Sequence, residues 1–198
     1  MKMKNVVKLM ILSLALFITQ QGFAQSTQKG EHMISVNLGA VIPVTSIDYY
    51  GTDIDYGKTG FGLGAQYQYF LTDNFALGAE LDQNWFGQKE QYGVEFEGRT
   101  SNFLLTGRIN LMNRDAFRFY LPMGIGVARM REDIDEYHIY DTGLTWNIGL
   151  GIETAIAGNP DKLNIGLEAK FNQAYWNKDD IDEDLNYISV MFKLSRRF

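Results

Sequence analysis

The chain contains no cysteine, which excludes disulfides, thiolate metal sites and cysteine nucleophiles. Two histidines, His32 and His138, leave little from which to build a zinc centre. Basic charge is also short. Lys and Arg number 18 against 24 Asp and Glu, a net charge of −6, so the basic face that nucleic acid requires is missing and no nucleic-acid partner is expected. Beyond residue 24 no segment approaches the roughly 20 apolar residues of a membrane helix. There is no phosphate-binding loop, no HExxH and no calcium-hand spacing. What the chain has in quantity is glycine, 20 residues, and aromatics, 14% of the total.

Residues 1–24 read as a secretory signal peptide. Lys2, Lys4 and Lys8 make a positive start, Leu9 to Ile18 is an apolar run too short to span comfortably, and Gly22-Phe23-Ala24 is a small-residue cleavage site before Gln25. Their removal takes the net charge from −6 to −9. Residues 25–198 are then one domain.

In that domain the dominant period is two. Ile34, Val36, Leu38, Ala40 and Ile42 alternate with Ser35, Asn37, Gly39 and Val41. The same alternation recurs around Phe61–Tyr69, Phe75–Trp85, Phe103–Leu111, Phe117–Val127, Leu144–Ile152, Leu163–Phe171 and Ile188–Phe198. Eight strands follow, each apolar on one face and small or polar on the other. Pro122 interrupts the fifth, where a bulge or a lost ladder bond is expected. Long connections (44–59, 87–98, 131–142, 177–185) alternate with short ones such as Leu71-Thr72-Asp73-Asn74 and Asn113-Arg114-Asp115, both rich in turn formers. That alternation describes an up-and-down antiparallel meander, and closing it removes the sheet edges.

The alternation fits a soluble carrier with its apolar face inward or a transmembrane barrel with that face outward. Glycine crowded beside long charged residues on the polar face suits a narrow filled lumen. The apolar face bears aromatics in two bands, Tyr67, Tyr69, Phe75, Phe117 and Phe119 toward the short turns and Phe61, Trp85, Trp146 and Tyr175 toward the long loops, as at membrane interfaces. The chain also ends on an aromatic in phase with its last strand. These features select an eight-stranded antiparallel up-and-down transmembrane β-barrel, all-β.

The stretch Ile188-Ser189-Val190-Met191-Phe192-Lys193-Leu194-Ser195-Arg196-Arg197-Phe198 resembles the C-terminal signal of bacterial outer-membrane barrels. The openings Ile34 to Ala40 and Phe119 to Gly126 resemble the small outer-membrane β-barrel domain family of the OmpA-barrel and OmpX type. The resemblance implies outer-membrane lipid and lipopolysaccharide as surroundings. It also implies recognition of Phe192, Leu194 and Phe198 by barrel-insertion machinery, termini in the periplasm and long loops outside the cell. Arg196 departs from the pattern with a charge on the lipid face, next to the rim, where the cost is only about 0–1 kcal/mol.

The polar face carries Glu80, Asp82, Glu153 and Glu168 against Arg108, Arg118, Lys170, Lys193 and Arg197. Such charges inside a barrel this narrow must be paired. Counting from the short turns suggests Glu80–Arg108, Arg118–Glu153 and Glu168–Lys193. Catalysis is not expected: His138 with Asp141 lies in a loop without an evident nucleophile, and no cofactor is implied. The four long connections carry a net −12, with loops three and four at −4 each. The acidic run Asp179, Asp180, Asp182, Glu183 and Asp184 is a candidate site for Ca²⁺ or Mg²⁺, or for a surface partner. The expected role is structural or surface-interactive: envelope integrity, adhesion or partner binding. Narrow transport of small or apolar solutes is the first alternative and lipid modification the second.

Overall fold

The computed structural model describes residues 29–44, 46–49, 52–55, 58–87, 89–91, 94–113, 117–134, 137–156, 163–178 and 181–198. Their strands are β1 (His32–Pro43), β2 (Ser46–Tyr49), β3 (Thr52–Asp55), β4 (Lys58–Thr72), β5 (Phe75–Gly87), β6 (Lys89–Gln91), β7 (Val94–Asn113), β8 (Phe117–Ile134), β9 (Tyr137–Ala155), β10 (Asn164–Lys178) and β11 (Ile181–Arg197). Eight of them, β1, β4, β5 and β7 to β11, form one antiparallel sheet closed on itself. Closure joins β1 to β11 from Met33↔Arg197 to Pro43↔Tyr187. Among the described residues no helix is long and apolar enough to cross a membrane.

Burial is inverted relative to a water-soluble protein. Leu144, Ile125 and Leu105 are 64–67% exposed on the outer face, whereas Arg108, Arg118 and Lys193 are fully buried inside. The alternating apolar residues therefore face outward, as a lipid-facing surface requires. The aromatic bands lie on that outer face. On the hairpin side Phe61 packs on Trp85 and Trp146 on Phe171, with ring centroids 6.0 and 5.8 Å apart. On the turn side the Tyr67 hydroxyl lies 2.6 Å from His32 Nδ1.

The long connections differ from expectation. Most of 131–142 and 177–185 is ladder: β8 runs to Ile134 and β9 resumes at Tyr137, while β10 runs to Lys178 and β11 resumes at Ile181. β2 and β3 make a separate hairpin within 44–59, and β6 pairs with β7 within 87–98. Polar side chains do not preclude pairing, and paired strands satisfy their backbone groups better than irregular loop. One rim is thus a crown of hairpins. At the other, the tight turn between β4 and β5 is held by Asn110 and Asn113, whose side-chain amides donate to Asp73 O at 3.1 and 3.3 Å.

Two local irregularities refine the strand reading. At Pro122 the pairing of β8 with β9 lapses over Leu121 and Pro122 and resumes in unchanged register at Met123↔Ile148, so a ladder bond is lost without a bulge. A bulge occurs instead on β7 between Asn110 and Met112. It changes the phase of the strand, so that Leu111, expected outside, is buried, and Asn113 turns inward toward Arg118.

The last pair of the closing seam is formed by Phe198, whose N–H donates to His32 O and whose carbonyl accepts from His32 N–H, both at 3.0 Å. Its ring stacks on His32 with centroids 5.7 Å apart. Deleting Phe198 leaves the His32 backbone groups bare at the seam. We predict a several-fold fall in folded, heat-modifiable barrel recovered from the outer membrane, measured by gel shift. Unchanged recovery would contradict this role of the seam.

Candidate functional site in the barrel interior

The polar positions of the eight strands converge on a lumen filled in three layers. At the turn side Met33, Phe70 and Ala76 form a small apolar floor. At the hairpin side a larger apolar layer includes Val41, Phe86, Met130, Trp176, Tyr187 and Met191. Between them lies a layer of charge.

That middle layer contains two linked units. The first is a closed ring. Lys170 Nζ contacts Glu80 Oε1 and lies 3.2 Å from Glu168 Oε1; Lys193 Nζ lies 3.4 Å from Glu168 Oε2 and 2.6 Å from Gln66 Oε1; and Gln66 Nε2 returns to Glu80 Oε2 at 3.3 Å. The second unit is centred on Glu153, which receives Arg108 Nη1 at 3.0 Å and Arg118 Nη1 at 3.4 Å, one on each carboxylate oxygen. Arg108 Nε also donates to Asn110, and Arg118 donates to Asn113 and Asn164. Tyr120 joins the units. Its hydroxyl donates to Glu168 at 3.0 Å, and its ring lies under the Arg108 guanidinium at 3.7 Å, with Lys193 Nζ 5.3 Å from its centroid.

All nine expected interior charges are buried. Glu80, Glu153 and Glu168 each contact at least one of Arg108, Arg118, Lys170 and Lys193, and that pairing offsets the cost of taking those ions out of water; Asp82 is buried in the same layer, against Gly64. Arg197, at the turn-side mouth, pairs with Glu31 at 3.2 Å. Arg118–Glu153 and Lys193–Glu168 are in contact, but the expected Glu80–Arg108 pair is not formed. Glu80 stands opposite Leu104 and Arg108 opposite Ala76, four residues apart along the ladder, or about 13 Å. Counting from the turn ignored the stagger between tilted strands. The partners lie further round the barrel instead: Lys170 on the opposite wall for Glu80, and Glu153, two strands away past β8, for Arg108.

Sequence reasoning also passed over Tyr120 and Gln66. Both share the phase of the charged positions on their strands, and that phase was the available signal. Two glycines explain how so many long side chains fit. A Cβ on Gly151 would overlap the Tyr120 ring, and one on Gly64 would overlap the Asp82 carboxylate. The apolar layers had no comparable signal, because Phe86, Trp176 and Tyr187 break an otherwise polar face.

Other expectations fall elsewhere. Asp179 and Asp180 lie outside the described residues. Asp182 and Glu183 stand opposite Asn177 and Trp176 at the start of β11. The Asp184 carboxylate accepts from Gln173 Nε2 at 3.1 Å. Among the described residues no three of His, Cys, Asp and Glu gather to hold a metal. His138 stands opposite Asp133 in the β8–β9 ladder, not in an irregular loop.

A closed eight-stranded antiparallel barrel with an apolar exterior and an ionic interior defines a transmembrane β-barrel of the outer-membrane type. The sequence matches the model of the outer membrane protein beta-barrel domain over residues 10–198, and the chain belongs to that family. Solved structures share the fold at low identity. Neisserial surface protein A superposes with a TM-score of 0.61 at 12% identity, covering 86% of this chain and 100% of its own. OprG of Pseudomonas aeruginosa gives 0.55 at 13% identity, over 89% and 99% of the two chains. Ail, the attachment invasion locus protein of Yersinia pestis, gives 0.54 at 15%, over 86% and 99%. No curated protein matches the sequence.

Because Glu153 serves two buried arginines, Glu153→Gln leaves both without a carboxylate. We predict a loss of about 3–5 kcal/mol in denaturant unfolding of the refolded barrel. Gly151→Val should displace the Tyr120 ring and cost about 1–3 kcal/mol by the same measurement. A wild-type midpoint for either variant would contradict the packing described.

Proposed function

We propose that this outer-membrane barrel is closed to bulk solutes and acts at the cell surface, with the hairpin rim as its contact region. The observation that carries the reading is the buried charge layer, in which Lys170 of β10 reaches Glu80 of β5 on the opposite wall and Arg108 of β7 reaches Glu153 of β9 past the intervening β8. A lumen tied in this way has no continuous aqueous path. The extended hairpins, rich in carboxylates, are then the part of the chain free to vary in what they meet. One of the similar structures, Ail of Yersinia pestis, is described in complex with the heparin analogue sucrose octasulfate. That supports a surface-contact role for a barrel of this build.

In this reading the turns and both termini are periplasmic and the hairpins are extracellular. Residues 1–24 are the export signal, and the alternation of Phe192, Leu194 and Phe198 on the outer face is what the insertion machinery engages. Divalent cations at the acidic hairpin ends would moderate their mutual repulsion. The protein has no catalytic role here. A second reading, a narrow path for small apolar solutes, is favoured by the apolar interior layer beneath the hairpins.

Planar-bilayer recording of the refolded full chain tests the proposal. The closed barrel predicts no steady conductance, while Glu80→Gln with Arg108→Gln together should produce intermittent openings. A steady porin-size conductance of the wild type would overturn it.

A further inference from the structure

The closed ring of the charge layer holds more acid than base. Glu80, Asp82 and Glu168 face Lys170 and Lys193, three carboxyls to two ammonium groups, all of them buried. Glu80 and Glu168 each contact a lysine, but among the described residues no Lys or Arg comes within ion-pair distance of Asp82. The two arginines do not make up the difference. Arg108 and Arg118 are engaged with Glu153, Asn110, Asn113 and Asn164. Arg108 is also six residues, or about 20 Å, along β7 from Asn102, the residue opposite Asp82.

Asp82 is joined to Glu80 instead. The two are two residues apart on β5, so both side chains point into the lumen, and their carboxyl groups are hydrogen-bonded to each other. The flanking strands offer Asp82 no other donor. It stands opposite Gly64 on one side and Asn102 on the other. Asn102 Nδ2 donates to the Tyr187 hydroxyl at 2.8 Å, as does Asn84 Nδ2 at 3.2 Å. An ionised carboxylate only accepts hydrogen bonds. A bond between two carboxyl groups therefore requires a proton on one of them, and like charges this close and this dry do not both persist.

We propose that Glu80 and Asp82 share a single proton and so form a proton-binding site in the barrel interior, whose occupancy holds the charge ring together. With the proton in place the ring is balanced: one negative charge on the pair and one on Glu168, against Lys170 and Lys193. Without it Lys170 meets two carboxylates of β5, in a layer covered by apolar side chains on both sides. The other ionisable groups facing the pair are Glu168 on β10, Lys193 and Tyr187 on β11, and Tyr120 on β8 through its bond to Glu168. At this level β4 and β7 present only neutral residues, Gly64 and Gln66 on the first and Asn102 and Leu104 on the second. The strain of losing the proton thus falls on Lys170–Glu80, the tie to the opposite wall, and loosens the plug. That consequence rests on the closed lumen proposed above; the shared proton itself does not.

Infrared spectroscopy of the full chain, refolded in detergent micelles at neutral pH, reads the proton through the carbonyl stretch of a protonated carboxylic acid. The wild type should show one such band. Asp82→Asn and Glu80→Gln should each remove it, because an amide donates to the remaining carboxylate with no proton to share. Glu31→Gln, at the turn-side mouth, should keep it. Denaturant unfolding gives a second readout. The folded pair holds a proton that an unfolded carboxyl releases above about pH 4, so the stability it confers is full below that pH and falls as pH rises. Relative to Asp82→Asn, the wild-type unfolding constant should increase about tenfold per pH unit through neutrality. Bilayer recording separates this site from the closed-lumen reading. An alkaline bath should bring openings in the wild type that Asp82→Asn lacks, whereas a steady large conductance at every pH would refute the closed lumen and leave the infrared band to decide the proton. No band in the wild type, or a band and a pH slope unchanged by both substitutions, would overturn the proposal. So would an unfolding midpoint set by sodium or calcium concentration, which would assign the pair to a bound cation.

Discussion

A polypeptide inside hydrocarbon must satisfy every backbone N–H and C=O from within itself, since each group left bare costs several kcal/mol. For a chain of strands the only complete solution is closure. Here that means the β1–β11 seam, which runs from Met33↔Arg197 to Pro43↔Tyr187 and is finished by the two Phe198–His32 bonds. The outward phase of every strand, the aromatic bands and the terminal aromatic follow from this seam. A one-residue slip would turn Ile34, Val36 and Leu38 inward and place Ser35 and Asn37 in lipid.

Closure with eight strands creates a second constraint, an interior only wide enough for side chains to fill. The chain fills it with two apolar layers and, between them, balanced charge. The charges pair between neighbouring strands, as Arg118 with Glu153 and Lys193 with Glu168, and also beyond them, as Arg108 with Glu153 two strands away and Lys170 with Glu80 on the opposite wall. Glycine makes this possible: Gly151 and Gly64 leave the space that the Tyr120 ring and the Asp82 carboxylate occupy. Pro122, within β8, costs one lapse in pairing and no change of register.

The architecture was legible because period-two alternation is local: each strand announces its own two faces. The residues of the interior were legible for the same reason. Their partners were not. Pairing depends on stagger, bulges and contacts across the lumen, none of which leaves a local trace, so Glu80 was matched with Arg108 on its neighbouring strand and Tyr120 was overlooked. The hairpin crown was misread as loop because charge reports exposure to water and is silent on whether a backbone is paired.

The chain's lack of cysteine allows a direct reading of both faces at once. Single cysteines would be placed at Thr106 inside, at Leu105 outside and at Arg129 on the rim, and reacted in lipid vesicles with a water-soluble thiol reagent. The packed, inverted barrel predicts rapid reaction at the rim and protection at the other two, with Leu105→Cys alone open to a lipid-soluble reagent. Reaction of Thr106→Cys as fast as the rim site would contradict a filled lumen, and reaction of Leu105→Cys with the water-soluble reagent would contradict the outward apolar face.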